Sequence, residues 1–347
     1  MCGLMHYSTR FLLGNLLSLS CILFSCQYKA DENQNQITKN LSVQEQIASL
    51  TKDINNDRLN PNLFHKRADL HLENKNLHGA LNDISVAIKI DSTISSQYYT
   101  LSEIYFAKKE LVMAAEIMKT CVDLAPNNSE ALLRLAEMKY FLNDYKASIE
   151  YLKRVITIDK YNAKAFYIHG MVFKELGDTA KAVTSFQTAV ENAPDYYEAY
   201  LQLGLLYYSI LDPIALNYLD NAINLNPKSI IGIYTKAMYY QRSGDIDMAI
   251  NTYYQLLDID IYYSLAHYNL GHILYEHKDD YHTAIKHFSN AIKCDSANFK
   301  AYYMRGLSHE QLKAYKKAKA DYNSSLNYKT NYDLSIKGMN RLDQLMQ

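Results

Sequence analysis

Through most of this 347-residue chain, apolar residues recur at i, i+3, i+4 and i+7, the spacing that lines one face of a helix. Between 163 and 196 they are Ala165, Phe166, Gly170 and Phe173, then, after "LGDTAK", Ala182, Phe186 and Ala189. The polar interruption at Gly177-Asp178 reads as the end of one helix and the start of another, because glycine adopts the left-handed conformation that closes a helix. Equivalent interruptions fall at "FLNDY" (141–145), "RSGDI" (242–246) and "HKDDY" (277–281). The pattern predicts helical hairpins, with breaks near 76, 110, 143, 177, 211, 244, 279 and 314.

These hairpins repeat. The frame "AVENAPDYYEAYLQLG" (189–204) returns as "AIKIDSTISSQYYTLS" (87–102), "CVDLAPNNSEALLRLA" (121–136) and "VITIDKYNAKAFYIHG" (155–170). It returns again as "AINLNPKSIIGIYTKA" (222–237), "LLDIDIYYSLAHYNLG" (256–271) and "AIKCDSANFKAYYMRG" (291–306). Length alone would suggest two or three domains. A fixed period near 34 residues overrides that, since a single hairpin cannot bury its apolar face without a neighbour.

Residues 163–196 place Phe166, Gly170, Phe173, Ala182, Phe186, Ala189 and Pro194 at repeat positions 4, 8, 11, 20, 24, 27 and 32. Residues 197–229 supply Tyr200, Gly204, Tyr207, Ala215, Leu219, Ala222 and Pro227, with one deletion around Asp212-Pro213. The pattern resembles the tetratricopeptide repeat. The resemblance implies an all-α fold, an α-solenoid of about eight hairpins in a right-handed superhelix. The expected repeats are 61–94, 95–128, 129–162, 163–196, 197–229, 230–263, 264–298 and 299–332. An N-terminal helix within 42–60 precedes them and a capping helix within 333–347 closes them. Lys160, Ile261 and Thr330 replace the terminal proline, Ser148 replaces an alanine, and 264–298 carries one extra residue near Asp279-Asp280.

The first residues follow another pattern. After Arg10, "FLLGNLLSLSCILF" (11–24) is apolar but too short to cross a hydrocarbon core of about 30 Å; its length suits the core of a secretory signal. It ends in "LFSC", where Leu23, Phe24, Ser25 and Cys26 resemble the cleavage box of bacterial lipoproteins. That resemblance implies a signal peptide over 1–25, a lipid on Cys26 and a flexible tether over 26–41. It places the protein in the cell envelope, lipid-anchored at the outer membrane, like tetratricopeptide lipoproteins of the Bacteroidota. "DST" (91–93), "DTA" (178–180) and "DSA" (295–297) resemble short acceptors for O-linked glycans on exported proteins of that group.

Charge changes the picture by exclusion. With 36 basic and 37 acidic residues the net charge is −1, and no basic stripe offers itself to phosphates, so nucleic acid is not an expected partner. No phosphate loop, HExxH, CxxC or G-x-S-x-G occurs, so neither enzyme activity nor a cofactor is expected. Five histidines, His267, His272, His277, His282 and His287, are spaced by five. Five residues turn a helix by about 140° net, so neighbours share no face and no metal is expected. Cys121 and Cys294, five repeats apart, are expected as buried free thiols.

The resemblance also implies that the first helix of each hairpin lines an inner groove through positions 2, 5, 9, 12 and 13. Position 5 then presents Tyr99, Tyr167, Tyr234, Tyr268 and Tyr303. Position 12 presents Phe106, Tyr140, Tyr208 and Tyr275, and position 9 presents Met171 and Met238. These side chains are expected to point inward, free of the hairpin's own core. The family's clamp for C-terminal carboxylates, lysine at 5 with asparagine at 9, is missing. Tyrosine rings combine large contact area with a hydroxyl, which suits a protein or peptide partner. The expected function is a non-enzymatic, membrane-anchored scaffold; the alternative is a glycan-binding surface lipoprotein.

Overall fold

The computed structural model describes residues 42–345. The proposed signal, tether and lipidated Cys26 lie outside them. The described residues divide into two compact units, 42–117 and 118–345. The first contains α1 (Val43–Asn56), the hairpin of α2 (Pro61–Glu73) and α3 (Leu77–Ile90), α4 (Ser95–Ala107) and the start of α5 (Leu111–Leu124). The second begins within α5. It continues with α6 (Ser129–Phe141), α7 (Tyr145–Ile158), α8 (Ala163–Glu175), α9 (Thr179–Asn192), α10 (Tyr197–Ser209) and α11 (Ile214–Leu225). Then come α12 (Ile230–Ser243), α13 (Ile246–Ile259), α14 (Ser264–His277), α15 (Tyr281–Cys294), α16 (Phe299–Gln311), α17 (Tyr315–Tyr328) and α18 (Asp333–Leu345). The fold is all-α, built of paired helical hairpins that pack on their sequence neighbours within each unit.

Each predicted break carries a residue with positive φ. Glycine serves at Gly177 (φ 77°) and Gly244 (φ 86°), but Lys75, Lys109, Asn143, Leu211, Asp279 and Lys313 adopt the same left-handed conformation. A side chain there costs about 1–2 kcal/mol. Backbone hydrogen bonds that wrap the helix end offset it: Asp178 N–H donates to Phe173 O at 2.9 Å, Asp144 N–H to Lys139 O at 2.9 Å, and Ala314 N–H to His309 O at 2.8 Å. Second helices then start on polar caps: Asn76, Asp144, Asp178, Asp245 and Asp280 each accept a backbone N–H from the first turn.

Within a hairpin the helices touch where side chains are small. A Cβ added at Gly170 would lie 2.6 Å from the Phe186 ring, and one at Gly204 2.7 Å from Leu219. Ala182, Ala189, Ala215 and Ala222 are fully buried beside them. Ser148, standing where alanine was expected, is accommodated because its hydroxyl donates to Ala136 O at 2.8 Å; Ser102 does the same to Ala114 O at 2.7 Å.

Two polar nodes share one design. In the first unit Arg67 grips Asp83 through Nε and Nη2, both at 2.7 Å, and reaches Thr51 through Nη1. At the equivalent positions of the second unit Arg305 grips Asp321 at 3.0 and 2.6 Å and reaches Ser289. The last helix, α18, is fastened separately. Arg341 binds both oxygens of Glu310, at 2.5 and 2.8 Å, and the Tyr322 hydroxyl donates to the same carboxylate at 2.6 Å.

Candidate partner-binding face

In the second unit, Tyr140 on α6, Tyr167 and Met171 on α8, Tyr208 on α10, Tyr234 and Met238 on α12, Tyr268 and Tyr275 on α14, and Tyr303 on α16 are all half-buried. Every one sits on the first helix of its hairpin. Tyr99 and Phe106 hold the equivalent places on α4 of the first unit, also half-buried.

These tyrosines are not free of the core. The position-5 ring meets the aromatic side chain of its own second helix: Tyr167 on Phe186 at 5.7 Å, Tyr234 on Tyr253 at 6.1 Å, Tyr268 on Phe288 at 6.0 Å and Tyr303 on Tyr322 at 5.9 Å. The reason is geometric. A side chain long enough to reach the shared face crosses the mouth of the hairpin, where the buried position-24 ring stands. The expectation of independence from the core is therefore corrected: the rings are braced platforms.

Burial raises the pKa of the Tyr140 and Tyr167 hydroxyls well above the usual tyrosine range, helped by Glu175 and Glu198 respectively. Both remain hydrogen-bonding phenols at any physiological pH. The Tyr253 hydroxyl donates to Gln241 Oε1 at 2.8 Å and lies 2.9 Å from Met238 Sδ, which packs the thioether against the same ring cluster.

Several side chains of this face were not singled out by sequence reading. Tyr196, Tyr263 and Tyr332, at repeat position 34, lie beside the position-5 rings. Their centroids are 5.1 Å from Tyr167, 5.5 Å from Tyr234 and 5.6 Å from Tyr303. Asn269 on α14 donates its amide to the hydroxyls of Tyr234 (3.1 Å) and Tyr253 (2.9 Å). Lys174 is half-buried on α8, with its ammonium on Gln202 Oε1 at 2.7 Å; burial lowers its pKa. The tyrosine at position 34 was visible as a repeating letter, whereas the Asn269 contacts join different hairpins and leave no mark in the pattern.

Histidine spacing behaves as predicted along one helix but not across a hairpin. Chain reversal brings His267 on α14 against His287 on α15, both buried. No cluster of three or more potential metal ligands occurs among the described residues. Cys121 is buried as expected; Cys294 is only half-buried, at the exposed end of α15.

An array of helical hairpins with small residues at the contacts and an aromatic row on the first helices defines a class of repeat protein. Profiles of the tetratricopeptide repeat match residues 98–128, 129–162, 164–196, 232–260 and 299–332, so the chain carries tetratricopeptide repeats. A BBSome complex member BBS4 homolog of Drosophila melanogaster is 24% identical over 157 residues, 45% of this chain and 32% of that protein. Anaphase-promoting complex subunit 3 of Schizosaccharomyces pombe is 25% identical over 196 residues, 56% of this chain and 29% of its own length. The chain thus spans about a third of the length of these relatives. The C-terminal part of a TPR repeat-containing protein from Cytophaga hutchinsonii has a similar structure. Its TM-score is 0.61 at 15% identity, covering 70% of this chain and 99% of that one, a likeness of fold alone.

Proposed function

We propose that the protein is a non-enzymatic scaffold that holds a protein or peptide partner on the first-helix face of its second unit, and that a lipid on Cys26 tethers it to the outer membrane. The observation that carries the reading is the braced row Tyr167, Tyr234, Tyr268 and Tyr303. Rings fixed by packing lose little freedom on binding, so their contact area converts efficiently to affinity. Two relatives are named as members or subunits of multiprotein complexes, which accords with a scaffold. The membrane half of the reading rests on the "LFSC" resemblance. No helix among the described residues is long and apolar enough to cross a membrane.

Affinity capture with the full chain tests the first half. A partner retained by the wild type and by Lys286→Ala, and lost by Tyr208→Ser combined with Tyr268→Ala at unchanged helical content, supports the face. Retention by every variant overturns it, and recovery of polysaccharide instead of protein favours the glycan alternative. For the second half, Cys26→Ser should move the protein from the membrane to the soluble fraction; an unacylated mature N-terminus would refute the anchor.

A further inference from the structure

The aromatic face has a period of two repeats, whereas the fold beneath it has a period of one. Three-ring pads stand in alternate repeats: Tyr167, Phe186 and Tyr196; Tyr234, Tyr253 and Tyr263; Tyr303, Tyr322 and Tyr332. The other repeats of this unit carry Leu133, Leu152 and Asn162, then Leu201, Leu219 and Ser229, then Tyr268, Phe288 and Asn298 at the same positions. Position 9 follows in part, with Met171 and Met238 in the first two pad repeats, although leucine stands there both in the third (Leu307) and in a repeat without a pad (Leu205). Hairpin packing makes the same demand of every repeat, so it does not call for this alternation.

The tyrosines also occupy a place where another residue would stabilise the fold better. Position 34 is the N-cap of the next first helix. Asn128, Asn162, Ser229 and Asn298 cap there with a side-chain oxygen, but Tyr196 and Tyr263 make no side-chain cap hydrogen bond. First helices come close in α6 with α8, α10 with α12, α14 with α16 and α16 with α18; Tyr196 and Tyr263 stand at the looser junctions and Tyr332 at a close one. A forgone cap is a stability cost of the kind functional sites carry.

Resting on the scaffold reading, we infer that the partner is an extended peptide segment with bulky apolar side chains two repeats apart and a basic residue beside the first. With helices about 10 Å apart, two repeats span about 20 Å, or about six residues of extended chain. Charge sets the register. Burial raises the Tyr167 and Tyr196 hydroxyl pKa values, and Glu198, half-buried in the first turn of α10, adds to it; Glu198 has no ion pair or hydrogen bond among the described residues. Of the other carboxylates near these rings, Glu137 is matched by Arg134 at 2.7 Å and Lys164 at 3.3 Å and Glu310 by Arg341, Asp260 accepts the Tyr262 backbone N–H, and Glu175, near Tyr140, is exposed where Glu198 is half-buried. Extended backbone has free N–H and C=O groups. Asn269 Oδ1 and Gln241 Nε2, beside the middle pad, have no partner among the described residues and match them; a helical ligand would have spent its own.

Displayed random peptides of about fourteen residues, selected on the full chain, provide the probe. Enriched peptides should carry bulky apolar residues about six apart, with lysine or arginine beside one of them. Tyr196→Asn and Tyr263→Asn install the residue that neighbouring repeats use. Each should weaken the enriched peptides at least about tenfold, while the melting temperature holds or rises by about 2 °C. Glu198→Gln should weaken a lysine-bearing peptide but not its methionine counterpart, a readout that holds even where a tyrosine variant folds poorly. Apolar spacing of about three or about thirteen residues overturns the inference. So does indifference to both asparagine variants while Tyr208→Ser still abolishes binding, and in that case the scaffold face stands. Enrichment of nothing, or of peptides blind to every variant of this face, overturns both.

Discussion

His267 and His287 face each other nitrogen to nitrogen, Nδ1 to Nδ1 at 3.1 Å, inside the α14/α15 hairpin. Their neighbours fix the protons. His267 Nε2–H donates to the Ile261 carbonyl at 3.0 Å, so its Nδ1 holds a lone pair. His287 must then donate from Nδ1, and its Nε2 accepts from the Tyr254 hydroxyl at 3.1 Å. Either ring, once protonated, turns an acceptor into a second donor and breaks the chain.

Acid should therefore loosen the protein before its carboxylates titrate. Burial lowers both histidine pKa values; for His287, with His267 and Lys286 also lowering it and Asp280 opposing, the result is about 4. The unfolded chain takes up these protons near the ordinary histidine value of about 6.5, so it binds more protons than the folded chain below that pH. Stability is complete above about 6.5 and is lost as pH falls towards 4, by an amount on the order of 2 kcal/mol. Urea midpoints measured at both ends of this window check it, and His287→Phe should flatten the dependence.

Lys313 is exposed with φ 58°, at the turn between α16 and α17. Lys313→Gly should stabilise by about 0.5–1 kcal/mol, because relief of left-handed strain exceeds the extra entropy of unfolded glycine. Lys313→Ala keeps the strain and should gain nothing. Denaturant unfolding of the two variants decides the point.

Gln97 on α4 is fully buried, and neither its amide nitrogen nor its oxygen has a partner among the described residues. Ala131, Ala165 and Ala199 hold the equivalent place elsewhere. Gln97→Met keeps the volume and removes the unsatisfied groups, so a gain of about 1–2 kcal/mol is expected in thermal unfolding.

Gly170→Ala should destabilise by about 1–3 kcal/mol, since the new methyl would meet the Phe186 ring. Adding Phe186→Leu should recover part of the loss, because Ala136 and Leu152 hold the equivalent positions in the preceding hairpin. A double-mutant cycle with no coupling would show that the contact does not govern the spacing.

Period and breaks were legible in the sequence because hairpin repeats impose a strict helical rhythm. Gly177 announced its turn; Lys109 and Lys313 did not, since there the turn is held by backbone hydrogen bonds that involve no particular side chain. The aromatic row was legible as residue types on one helix face. Its bracing was not, because Tyr167 and Phe186 are neighbours only after the chain reverses. The His267–His287 contact was hidden for the same reason, twenty residues apart on opposite helices.

Arg341 holds Glu310 from a position nearly half open to solvent, 45% exposed, while the carboxylate is only 12% exposed. Among the described residues α18 has packed neighbours on one side only, and such a helix frays first unless something fastens it. Here the fastener is electrostatic, and dissolved ions screen such a bond at the surface within about 10 Å at moderate salt. Raising ionic strength should thus make the second unit unzip directionally, from α18 inward, while its apolar interior tightens. Anything fused after Gln347 would hang from the segment that lets go earliest.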